Sequence, residues 1–109
     1  MYYIEQPIVF HSGLTSTEYG FHYISRLQVD YINNKTDMQI SSAKSKEQWI
    51  KDNYTSPHVN FYSLERVPAF NEDPNNAILK YLVTLPVTVF FKAVVKKDYE
   101  LNRLPNNKV

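Results

Sequence analysis

Residues 21–32, Phe-His-Tyr-Ile-Ser-Arg-Leu-Gln-Val-Asp-Tyr-Ile, decide the fold class. Phe21, Tyr23, Leu27, Val29 and Tyr31 share one parity, interrupted by Ser25. His22, Arg26, Gln28 and Asp30 take the other, with Ile24 and Ile32 among them. Successive side chains of a strand point to opposite faces, so this alternation marks a strand with one face packed and one face wet. Asn33-Asn34-Lys35-Thr36 follows as a turn, because Asn tolerates positive φ. Residues 37–42 then return as a partner strand with Met38 and Ile40 on one face, which makes a hairpin.

Upstream of this hairpin, residues 1–11 read as an extended arm in which Pro7 bars a helix interior, and residues 11–20 as a polar loop bounded by glycine. Downstream the period changes. Ser45-Lys46-Glu47-Gln48 fits a capping box, with Ser45 and Gln48 serving each other's backbone N–H groups. A short helix to about residue 53 follows, burying Trp49 and Ile50, and Ser56-Pro57 ends it. Residues 59–67 read as a third strand and 68–76 as a loop with two prolines. Residues 77–85 are either a strand or a short buried helix, which a short apolar run does not distinguish. After Pro86, Val87, Val89, Phe91, Ala93 and Val95 alternate with Thr88, Phe90, Lys92, Val94 and Lys96, the pattern of a further strand. The expectation is a mainly β, β-rich α+β domain: a small antiparallel sheet or sandwich with one short helix near residues 45–53. It forms one domain over 1–109, with an N-terminal arm (1–11) and a C-terminal tail (100–109).

Composition narrows the function classes. The chain has 109 residues, 43% of them hydrophobic, enough for one core without metal or disulfide. With no Cys, thiolate catalysis, thiolate zinc sites and disulfides are excluded. A net charge of +1 makes no overall field to steer nucleic acid or anionic lipid. The start lacks the basic and apolar regions of a signal peptide and no run is long enough to span a membrane, so a chain that stays soluble in the cytoplasm is expected. His11, His22 and His58 form no short-range ligand pair and read as surface or strand-edge residues. Gly13 and Gly20, the only glycines, are too few for a phosphate cradle or a nucleophile elbow. Glu72-Asp73 reads as a solvated turn rather than a catalytic carboxylate pair. No catalytic, metal or cofactor-binding residue is assigned. Residues 92–108 carry a modest basic excess near Tyr99 and Phe91. That is sparser than the stripe a nucleic-acid binder needs, and lysines facing water from a strand account for it.

Nine Tyr, six Phe and one Trp are the feature most open to a functional reading. Aromatics in the arm and the loops suit protein interfaces, where Tyr and Phe act as anchors. The residues assigned to such contacts are Tyr2, Tyr3, Ile4 and Phe10 in the arm, Tyr19 and Phe70 in loops, and Leu101 and Leu104 in the tail. The arm is apolar and extended, a form that adds to the sheet edge of a neighbour. Nine Lys against three Arg, with ten Asn and seven Ile, indicate A/T-rich codons and a low-GC genome.

Taken with the absence of Cys, the Tyr-rich β pattern, the extended termini and the lack of a catalytic set, this style resembles small bacteriophage virion proteins. The resemblance spans the chain without a specific motif. It implies capsid decoration, a head–tail connector or a tail component, assembled symmetrically through protein–protein contacts in a virion. A host-directed inhibitor or other soluble binding module is the alternative, and a small enzyme without a recognisable motif ranks third.

Overall fold

The computed structural model describes residues 1–97. The elements run β1 (Tyr2–Ser12), β2 (Thr15–Asp30), β3 (Lys35–Ala43), α1 (Lys46–Lys51), β4 (His58–Leu64), α2 (Pro74–Leu82) and β5 (Val95–Lys97). All strand pairs are antiparallel, in one sheet ordered β4-β3-β2-β1-β5. The mainly β class is as expected, with a single sheet and two short helices. Residues 100–109, expected as a tail, lie outside the described residues.

The N-terminal stretch read as an arm is strand β1, paired with β2 on one side and β5 on the other. The polar stretch read as a loop is mostly strand as well. Ser12 pairs with Thr15, leaving a two-residue connection of Gly13 and Leu14. Gly13 has φ of +61° while Leu14 does not have positive φ, which matches the hairpin turns that require glycine first. Residues 31–34 close the second hairpin, with Asn34 at φ +51°. The Asp30 carboxylate accepts from the backbone N–H groups of Ile32 and Asn33 and from the Asn33 side chain. Those bonds, the Asn33 side chain first, hold the Asp30 carboxyl below its ordinary range.

Two β-bulges set which side chains face which layer. Glu5 pairs with Phe21 and Ile8 with Tyr19, so Gln6 and Pro7 together oppose Gly20. A bulge tolerates proline, whose missing N–H would leave a gap in a regular ladder. The second bulge is Ser25, the extra residue between the pairs Ile24–Ile40 and Arg26–Gln39. It inverts the parity of β2. Leu27 therefore lies on the face of Ile24, packed with Met38 and Ile40, and opposite to Phe21 and Tyr23, with which its sequence parity grouped it.

One face of the sheet carries Ile4, Ile8, Met38, Ile40 and Leu64, covered by Ile78, Leu79 and Leu82 of α2 and by Phe90 and Ala93. The other carries Tyr3, Phe21, Tyr23 and Ala43, covered by Trp49 of α1. Helix α1 begins at Ser45, whose Oγ accepts from the Gln48 backbone N–H at 3.0 Å. The reciprocal half of the expected capping box is absent: the Gln48 amide donates instead to Asp52 at 3.0 Å. The helix ends with Asn53 at φ +57°, Tyr54 N–H donating to Trp49 C=O and Asn53 N–H to Ile50 C=O, the bond pattern of a Schellman cap. Trp49 is buried and Ile50 partly so.

Helix α2 takes up part of the segment read as a loop. The Asp73 carboxylate accepts from Asn75 and Asn76 N–H groups, and Pro74 occupies the first turn, where no N–H is required. Asp73 is thus a helix cap rather than a solvated turn residue. The strand expected after Pro86 is a second departure: residues 86–92 form a chain of turns and, among the described residues after Pro86, only Val95–Lys97 joins the sheet. Thr88, Phe91 and Ala93 N–H groups donate three residues back, and Lys92 N–H donates to Val83 C=O. These donors are used locally, so the segment has no ladder to offer a neighbour, and Val87, Val89 and Val94 face outward.

Candidate interaction surface

The most polar part of the interior lies where β1, β2, β3 and β4 meet. His22, fully buried, does not sit on the surface or at a strand edge as its sequence suggests. Its Nε2 lies 2.9 Å from the Gln6 carbonyl, which only accepts, so Nε2 carries the proton. Nδ1 then accepts from the Ser42 hydroxyl at 2.7 Å. Gln6 sits in the β1 bulge, so the bulge aims a carbonyl into the core and the imidazole fills its bonding need. Burial lowers the His22 pKa, against the opposing pull of the Gln6 bond, and His58 nearby lowers it further. A serine hydroxyl on an imidazole is the geometry of an activated nucleophile. Here both residues are fully buried and both ring nitrogens are engaged, so no substrate reaches Oγ; the pair ties β2 to β3 and β1.

Beside it, the His58 ring lies 4.2 Å from Phe10 and 5.4 Å from Tyr19, centroid to centroid, and His22 stands edge-on to Phe90 at 5.1 Å. Two of the aromatics assigned to intermolecular contacts, Phe10 and Tyr19, are therefore spent on this internal stack. Tyr3 is buried against Phe21, with ring centroids 5.3 Å apart, and Ile4 is buried under α2. As anchors for another chain Tyr3 and Ile4 are corrected by this placement, because β1 is an interior strand with both of its faces covered. Tyr2 is half-buried with the Lys97 ammonium 5.0 Å from its ring centroid, and Lys96 pairs with Glu5 at 3.0 Å. Leu101 and Leu104 lie outside the described residues.

Phe70 alone of the described candidates presents its side chain to solvent, with 89% of its surface exposed. Its ring stacks on Tyr31 at 4.6 Å with an interplanar angle of 18°. Ile32, next in the β2–β3 turn, is 95% exposed. The β2–β3 hairpin and the 65–73 loop are held together by the Asn34 amide of the turn donating to Glu65 C=O and the Thr36 hydroxyl of β3 donating to Arg66 C=O. Two segments far apart in sequence thus build one exposed apolar cluster on bonded supports. Further exposed apolar residues, missed because they read as strand positions, include Phe61 on β4 and Val87, Val89 and Val94 before β5. For Ile32 a signal existed: it directly precedes the Asn-Asn turn, where a packed side chain is uncommon.

Among the described residues no three His, Asp or Glu side chains gather as a metal site, and no helix is long and apolar enough to cross a membrane. Comparison with protein-family models, with characterised proteins and with solved structures finds no match.

Proposed function

We propose that this chain is a non-enzymatic structural or interaction protein that works through protein–protein contacts. The observation that carries the reading is the cluster of Tyr31, Ile32 and Phe70, apolar, exposed and braced on two loops. Exposed aromatic surface is unfavourable in water and gains on transfer to an interface. A ring already held by stacking loses less entropy on binding than a freely rotating one. The setting we propose is a small virion component of a bacteriophage, a capsid decoration, head–tail connector or tail protein in a symmetric assembly. Its support is the low-GC, cysteine-free, Tyr-rich composition. Mass spectrometry of purified particles tests the setting. The chain is expected at a fixed stoichiometry to the major capsid or tail protein; trace, variable amounts count against a virion role.

A further inference from the structure

We infer that the outer edge of β4 pairs with β4 of a second copy, joining two sheets across a two-fold axis; this rests on the protein-contact reading above and names the partner. The two edges of the sheet are built differently. Within the described residues β5 carries Lys96 and Lys97, charge of the kind that keeps a sheet edge from pairing. β4 runs seven residues, His58–Leu64, with no charge among Asp, Glu, Lys and Arg, no Pro, no Gly and an unbroken register against β3. Among the described residues, no backbone hydrogen bond from a loop or helix reaches β4. An edge that is uncharged, regular and uncovered among the described residues is a template for another strand.

The strand is self-complementary. Opposed residues of an antiparallel pair share a face, so the axis must pass through a residue position for the packed faces of both copies to stay on one side. Centred on Phe61, the pairing sets Phe61 against its counterpart and Val59 against Ser63 on the open face. Phe61 is 76% exposed, so that contact is available. On the packed face Asn60 comes opposite Tyr62 of the second copy. The Asn60 amide nitrogen is buried without a hydrogen-bond partner in the single chain, and the facing phenol oxygen supplies an acceptor. No like charges meet across the pair.

The absence of Cys makes disulfide trapping the test. In the full-length chain, Phe61→Cys puts two thiols opposite each other on the axis, within the Cα separation a disulfide needs. Ser63→Cys, on the same strand and face, sets its two thiols four positions apart in register and outside that reach. With oxidised glutathione as the electron acceptor, Phe61→Cys is expected to form a covalent dimer many times faster than Ser63→Cys. Equal or slower trapping at position 61 overturns the inference. Sedimentation equilibrium provides the reversible counterpart: the wild-type chain is expected to associate with rising concentration, and Phe61→Lys to stay monomeric with an unchanged melting temperature. A wild-type chain that remains monomeric to near-millimolar concentration also overturns it, as does a Phe61→Lys dimer. The double variant Ile32→Ser/Phe70→Ser keeps the two readings apart, because it leaves β4 pairing intact while removing the loop cluster.

Discussion

Truncating Trp49 tests the layer under α1. The ring is buried, with centroids 5.1 Å from Phe21, 5.1 Å from Tyr23 and 4.9 Å from Tyr54. Its Nε1–H donates to the Tyr23 hydroxyl at 3.0 Å. A six-residue helix has too few internal bonds to persist alone, so α1 depends on this contact to stay docked. Trp49→Ala removes the ring and leaves a cavity between helix and sheet, which costs about 3–5 kcal/mol in comparable cores. The Tyr23 hydroxyl keeps Ser56 as a partner at 3.0 Å, so the lost hydrogen bond adds little beyond the cavity. For a domain whose total stability is about 5–15 kcal/mol, a melting temperature lower by roughly 15 °C or more follows. Urea titration followed by far-UV circular dichroism is the assay, since the variant lacks the only tryptophan. Trp49→Phe should lose about half as much, because most of the apolar contact survives. A loss under about 1 kcal/mol for Trp49→Ala would refute the placement of α1 on the sheet.

Further expectations concern single side chains. Burial lowers the His22 pKa below its ordinary 6.5, so the folded state holds a neutral ring while the unfolded chain takes up a proton. Stability from this group is complete above that value and falls with decreasing pH, by up to about 1.4 kcal/mol per pH unit. His22→Gln should flatten the slope of stability between neutral and mildly acidic pH, and an unchanged slope would show that His22 does not carry it. Asp73→Ala removes the cap of α2 and should cost about 1 kcal/mol in denaturant melts, whereas no change would mean the helix is held by packing alone. Gly20→Ala places a Cβ about 3.1 Å from the Lys44 carbonyl oxygen, which the Gly20 N–H itself holds, so a destabilisation of about 1 kcal/mol or more is expected and a neutral result would show the strand can shift.

Elements whose identity rests on local chemistry were legible in the sequence. Alternation announced β3 and the part of β2 from Phe21 onward, the Asn pair announced their turn, and Ser45 announced α1. The bulges were not. Ser25 showed only as an interruption, and nothing in single-residue preference says that one extra residue will invert the parity of all that follows. The segment after Pro86 failed for a related reason. β-branched residues at alternate positions fit a pleated face, yet Thr88 bonds back to the Leu82 and Leu85 carbonyls, and the backbone turns with it. The aromatic reading was sound as an inventory and weak as a map. Phe10 and Tyr19 looked like terminal and loop residues because β1 and its hairpin were not seen as strands, and only the tertiary stack on His58 shows where they go. Phe70 survived as a candidate because, among the described residues, its loop has no sheet partner and its ring meets only Tyr31 among the aromatics.

Whether the Tyr31–Ile32–Phe70 cluster holds this chain to other proteins decides its role. The most direct measurement is velocity sedimentation of the tagged chain in extracts of cells that produce its native assembly, comparing wild type with Ile32→Ser/Phe70→Ser. The wild-type chain is expected in a species much heavier than a dimer, and the double variant, with unchanged circular dichroism, near the top of the gradient. A wild-type chain that sediments only as monomer or dimer, or a double variant that still travels with the heavy species, would contradict it.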